Sequence, residues 1–160
     1  METVFYEEKQ MITGWIIGLI VTTTVGTIGL AAVLTEASQE AIPLPLAVGL
    51  IVFTILLTLN FCAMRTVVRK HEVYVRFGLL IPYYWQHIPL DQVRVHSPVT
   101  YRPLRDAGGW GIRFGKFDGR TTTFFNMRGN EGVFLDMEKH PYIIGSQDPK
   151  ALARAIEKAR

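Results

Sequence analysis

Two long apolar runs, followed by many short alternating ones, set the outline of this chain. The first run, about residues 11–34, reads MITGWIIGLIVTTTVGTIGLAAVL and has no charged side chain. The second, about 44–64, reads LPLAVGLIVFTILLTLNFCAM and has none either. At about 1.5 Å per residue, each is long enough to cross a hydrocarbon core about 30 Å thick. A helix in a soluble core is rarely apolar on every side over that length. The pattern therefore predicts a transmembrane hairpin over residues 1–64. A cleaved signal peptide fits less well: METVFYEEKQ is acidic where a basic region is expected, and a second apolar run follows at once.

From Arg65 the period changes from helix to strand. Val73, Val75 and Phe77 alternate with Tyr74 and Arg76, which is the period of two of a half-buried strand. RTVVRK and EVYVRFG read as consecutive strands, with His71 and Glu72 near the turn. LLIPYYWQHIP continues after a turn at Gly78, and DQVRVHSPVTYRPL, GWGIRFG, TTTFFNMRG, GVFLDME and PYIIGS supply further strands. Asp118-Gly119 between two apolar runs is a hairpin signal. The chain closes on a helix. Asp148 suits its N-cap, Pro149 suits its first position, and Leu152, Ala155, Ile156 and Ala159 fall on one face. The expected fold class is an α+β membrane protein. Its hairpin is followed, over 65–160, by a β-barrel or sandwich of about seven strands with a C-terminal helix.

Composition sharpens this division. The 160 residues are 49% hydrophobic and carry a net charge of +3. Residues 1–64 hold Lys9 against Glu2, Glu7, Glu8, Glu36 and Glu40, a balance of −4. Residues 65–160 hold 16 Lys and Arg against 9 Asp and Glu, a balance of +7. The connector TEASQEAIP has no Lys or Arg, whereas Arg65, Arg69 and Lys70 follow the second run. The positive-inside rule then puts the C-terminal domain in the cytoplasm and brings the N-terminus back to the same side. Arg65, Arg69 and Lys70 become candidate contacts for anionic lipid headgroups. Trp15 suits an interfacial anchor.

Within the spans, Gly14, Gly18, Thr22 and Gly26 form a stripe of small residues for helix packing. The second helix of the chain itself is the expected occupant, and homodimerisation is the alternative. The threonine hydroxyls can bond back to the helix backbone. Asn60 reads as an interfacial or helix-bonded side chain. No Asp, Glu, Lys, Arg or His lies inside either span, which argues against a proton relay or ion carrier. Cys62 is the one cysteine, so no internal disulfide can form, and it reads as a small apolar residue.

Chemistry is sparse. His71, His87, His96 and His140 have no zinc-site spacing, and no G-x-S-x-G or G-K-[ST] occurs. No metal, cofactor or catalytic set is expected. Arg102, Arg105, Trp110, Arg113, Lys116 and Arg120 cluster around expected loops as a candidate partner surface. Nucleic acid is not the expected partner, because membrane topology accounts for the same basic bias.

VYVRFGLL, IPLDQVRVHSP, GGWGIRFG and YIIGSQDPKALARAIEKA together resemble the bacterial pleckstrin-homology-like (PH-like) domains that follow transmembrane hairpins. GWGIRFG…FFNMRGNEGVFL resembles a membrane-anchored subfamily of that group. The resemblance covers about Arg65 to Arg160 and implies a PH-like fold in a prokaryotic inner (plasma) membrane. It implies no particular activity. The expected function is a non-catalytic, multi-pass membrane module that docks proteins or anionic lipid headgroups at the inner leaflet, with a homo-oligomer or a membrane protein as further partners. One alternative is a membrane-associated enzyme using His87, His96 and Asp91. The other is an accessory subunit of a small transporter or channel, assembled through the glycine stripe.

Overall fold

A computed structural model describes residues 3–12, 14–37 and 43–160. The chain enters through strand β1 (Val4–Met11), which leads into two apolar helices, α1 (Gly14–Ala37) and α2 (Leu44–Phe61). It then runs through β2 (Ala63–Arg69), β3 (Glu72–Phe77), β4 (Tyr84–Pro89), a single 3₁₀ turn (Leu90–Gln92) and β5 (Val93–Thr100). A short helix α3 (Pro103–Asp106) precedes β6 (Gly111–Phe117), β7 (Arg120–Asn126), β8 (Glu131–Met137), β9 (Tyr142–Gly145) and the closing helix α4 (Pro149–Ala159). The protein is thus α+β, with an apolar N-terminal helix and two sheets.

The first sheet has the order β1-β2-β3-β4 and is antiparallel throughout; the second has the order β5-β8-β9-β7-β6, with β7 and β9 parallel. Strand alternation decides which side chains each sheet buries. Met64, Val68, Val73, Val75, Phe77 and Ile88 from the first sheet meet Val93, Phe125, Val133, Leu135 and Ile144 from the second. Helix α4 closes this core with Leu152, Ala155, Ile156 and Ala159, the face expected from its periodicity, together with Ala153. Asp148 caps it as expected: its Oδ1 accepts from the Ala151 N–H at 2.8 Å, and Pro149 follows. A smaller cluster of Tyr101, Ala107, Phe124 and Ile143 lies on the other face of the second sheet. Asp118 and Gly119 take positive φ angles of 50° and 76° and turn β6 into β7, as the sequence signals.

Two expectations are corrected. From Ala63 onward the described residues hold eight strands where about seven are expected, and of the two expected forms, barrel or sandwich, the closed barrel is excluded because the strands make two sheets. The division at residue 64 also shifts, because β1 lies ahead of the helices yet pairs along β2, from Val4 opposite Arg69 to Met11 opposite Ala63. The apolar helices are therefore inserted between two neighbouring strands of one sheet. The Ile12 N–H donates to the Cys62 carbonyl at 3.0 Å, at the mouth of that insertion. Gly111, which opens β6, takes a positive φ of 100°. Within the same strand, Gly115 permits a close approach, since a Cβ there would run into the Asp106 carbonyl.

Helices α1 and α2 pack against each other. Their half-buried positions, Ile17, Val21, Thr24 and Ile28 on one and Ala47, Ile51, Thr54 and Thr58 on the other, recur at helical spacing. The stripe of Gly14, Gly18, Thr22 and Gly26 is exposed. Nothing approaches within 4 Å of a Cβ built on its three glycines, so α2 is not its partner. Thr23, Thr24, Thr27 and Thr54 return their hydroxyls to helix carbonyls at 2.8–2.9 Å. Among the described residues one helix, through Ile16–Val33, is long and apolar enough to cross a membrane, and none of that stretch is buried. The apolar stretch Pro45–Phe61 is shorter. The Trp15 side chain and connector residues 38–42 lie outside the described residues.

Candidate functional site

The end of the first sheet next to the helices gathers several features that the sequence leaves apart. Lys9 pairs opposite Arg65, Arg65 opposite Arg76, and Arg76 opposite Trp85. Period-two alternation sets these four on the face away from the core, in one row across four strands. Like charges placed directly opposite repel, so such a row needs anions nearby. Glu7 supplies one. Its carboxylate lies 2.9 Å from Arg65 and 3.7 Å from Lys9. The Arg65 hydrogen bond holds the Glu7 carboxyl below its usual range, against a smaller opposing effect of burial. Arg76 has no ion pair among the described residues, and the Nε atoms of Arg65 and Arg76 are shielded from solvent without a hydrogen-bond partner there. Trp85, at the end of the row, is 58% exposed.

The β3–β4 loop lies beside this row, against the last turn of α2. The Asn60 Oδ1 accepts from the backbone N–H of both Leu80 and Ile81 at 2.8 Å, while its Nδ2 donates to the Ile81 carbonyl at 3.0 Å. The Leu79 N–H donates to the Asn60 carbonyl, and the Tyr83 hydroxyl to the Phe61 carbonyl. The Phe61 and Tyr83 rings are 4.6 Å apart. These bonds satisfy carbonyls that the end of α2 would otherwise leave unpaired. Asn60 is thus bonded to a loop 20 residues on, not to its own helix.

The basic residues expected at the membrane divide. Arg65 sits four residues beyond the end of α2. Arg69 ends β2, about 13 Å further along the strand at about 3.3 Å per residue, and Lys70 follows it. That separation along the strand exceeds the physiological Debye length of about 8 Å. Arg69 pairs with Glu72 at 3.5 Å and lies 5.3 Å from the Tyr74 ring centroid. Arg76, not singled out in the sequence, completes the row instead. Its signal was the strand alternation of EVYVRFG, but only the register with β2 shows what it faces.

The second expected set does not form one surface. Alternation puts Arg113 and Lys116 on opposite faces of β6. Arg102 caps α3 and Arg105 lies within it, 3.8 Å from Asp106. Trp110 is half-buried, and Arg120 is bonded to Asp136 and to the Met137 carbonyl. His87, His96 and Asp91 do not share partners either. His87 contacts Glu72 at 2.9 Å, His96 contacts Glu157 at 3.2 Å, and Asp91 lines an open cavity of about 640 Å³ with Arg94, Glu138 and His140. Among the described residues no group of three or more His, Cys, Asp or Glu could hold a metal. Cys62 is buried, as an ordinary apolar residue would be.

A polar lock fixes β1 to the opposite end of the chain. The Glu8 carboxylate accepts from the Tyr6 hydroxyl at 2.7 Å, Gln10 Nε2 at 3.0 Å, Ser146 Oγ at 2.6 Å and the Gln147 N–H at 2.8 Å. Gln10 also donates to the Gly145 carbonyl at 2.7 Å. The hairpin expected over residues 1–64 leaves no strand in this stretch. Its Val-Phe-Tyr start is the only strand signal it carries.

No protein-family model and no curated protein matches the chain.

Proposed function

We propose that this chain is a two-span, non-catalytic membrane module whose PH-like domain docks anionic lipid headgroups at the cytoplasmic face of a prokaryotic inner membrane. The row of Lys9, Arg65, Arg76 and Trp85 carries this reading, because it sets partly uncompensated cations and an exposed indole beside two apolar helices. Each cation near an anionic leaflet contributes about 1 kcal/mol. Two sheets closed by a C-terminal helix support the PH-like assignment.

The pairing of β1 with β2 supports two crossings. If α1 crosses, the chain must return before β2 can pair with β1, and α2 is the segment available. Its 18 residues span about 27 Å, within the range for a transmembrane helix. The same pairing argues against a cleaved leader, since cleavage after α1 would remove β1 and its Glu8 lock.

The test reconstitutes the full chain in nanodiscs of mixed phosphatidylcholine and phosphatidylglycerol and identifies the lipids retained after detergent extraction. Phosphatidylglycerol should be enriched, less so at high salt and less so in Arg76→Ala. Equal retention of both lipids, unchanged by salt and by the substitution, would remove headgroup docking and leave proteins as the partners of this face.

A further inference from the structure

We infer that the β3–β4 loop, Gly78–Tyr83, is itself a membrane-inserted element. It would enter the leaflet beside α2 and offer acyl chains the groove between them. This rests on the bilayer reading of the helices and adds a contact that reading does not require.

Three observations converge on the loop. Its side chains are unusually apolar for an exposed turn: Leu79, Leu80 and Ile81 are consecutive, and the latter two are 66% and 72% exposed. Such a run facing water needs a partner. Second, the loop can leave water without stranding its backbone donors. The Gly78 N–H donates to the Ala63 carbonyl, Leu79 to the Asn60 carbonyl, Leu80 and Ile81 to Asn60 Oδ1, and Tyr83 to the Phe77 carbonyl, while Pro82 has no N–H. That pairing is the condition hydrocarbon imposes on irregular backbone.

Third, the loop continues the surface of α2. Phe53, Leu56, Leu57, Leu80 and Ile81 enclose a groove of about 240 Å³, with Asn60 at its base. A groove continuous with an apolar helix surface, at the point where that helix meets the sheet, takes the same solvent as the helix. Tyr83 at the end of the loop and Trp85 just beyond it stand where aromatic residues meet headgroups, and the cation row lies in the next rung of the sheet. The occupant is therefore the acyl region of the leaflet on the domain side, rather than a second protein.

The experiment uses the full chain in phosphatidylcholine–phosphatidylglycerol vesicles. A polarity-sensitive fluorophore is attached to one introduced cysteine at a time, in a Cys62→Ser background. The sites are Ile81→Cys and Leu80→Cys in the loop, Leu50→Cys in α2, and Phe114→Cys on β6 as a water-exposed reference. Lipids spin-labelled along the acyl chain quench what lies within the bilayer. The loop sites and residue 50 should lose fluorescence, and residue 114 should not. Quenching at 50 with both loop sites behaving like 114 overturns the insertion and leaves the transmembrane reading standing. Absence of quenching at 50 as well overturns both. Asn60→Ala should reduce quenching at 80 and 81 while leaving 50 unchanged, because it releases the loop from α2. Unchanged quenching at 80 and 81 in that variant overturns the role of the clamp.

Discussion

Single side chains hold this molecule together at points far apart in sequence. Asn60 and Glu8 show the same physics: a short polar group satisfies several backbone or side-chain partners at a junction that would otherwise be strained or wet. Tyrosines supply a measurable consequence. Burial pushes Tyr101 up to about 12, and it does the same to Tyr6, assisted by Glu8 and opposed by the bond with Ser146. In the unfolded chain both hydroxyls ionise near the ordinary value of 10. Raised folded values mean that stability is complete below pH 10 and is lost as the pH rises through 12. For Tyr101, which is 2% exposed, the full effect is about 3 kcal/mol. Denaturant unfolding in detergent, repeated across that interval, should show the decline. Tyr101→Phe keeps the ring against Phe124 and should lose less over the same interval. An identical slope in that variant would contradict the assignment.

At the level of elements, β1 is the unexpected piece. It completes the first sheet, contacts α4, and carries the Glu8 lock to Ser146 and Gln147. Hydrogen bonds to a charged group contribute about 1.5–3 kcal/mol each. Removing the strand should therefore cost several kcal/mol, against a total of about 5–15 for a domain. Because Met11 and Ala63 are cross-strand neighbours, a two-residue Asn-Gly turn can replace the helices between Ile12 and Cys62. That shortened protein is expected to be soluble and to melt cooperatively. A fragment beginning at Ala63 should melt well below it, as followed by circular dichroism. Equal midpoints would show that β1 is dispensable. The later strands were legible from alternation, the β6–β7 hairpin from Asp-Gly, and α4 from its cap and apolar face. Strand β1 was not, since EEKQ carries no apolar alternation and its burial depends on strands β2 and β9.

For the whole molecule, the insertion of two apolar helices between paired strands fixes a topology. Both ends of the helical pair return to one sheet, so the N- and C-terminal parts lie on the same side of any bilayer the helices cross. Epitope tags before β1 and after α4 should be digested together by protease in inverted membrane vesicles and protected together in intact spheroplasts. Opposite sensitivity would exclude the two-crossing arrangement, because β1 and β2 could not then pair. The basic residues gain their meaning at this scale. Arg69 and Lys70 are near the apolar run in sequence but at the far end of a strand in space, whereas Arg76 is distant in sequence and adjacent to the helices.

The sequence by itself determined the apolar helices, most strand positions, the turn at Asp118-Gly119 and the capped final helix. These are local properties: the length of an apolar run, a period of two, a backbone preference and a single cap. Only the tertiary structure decided that β1 joins the sheet, that Asn60 grips the β3–β4 loop, and that Lys9, Arg65 and Arg76 share a row. Each of these depends on register between segments far apart in the chain. A strand slipped by one residue turns every side chain to the other face, so pattern alone cannot say which cations meet.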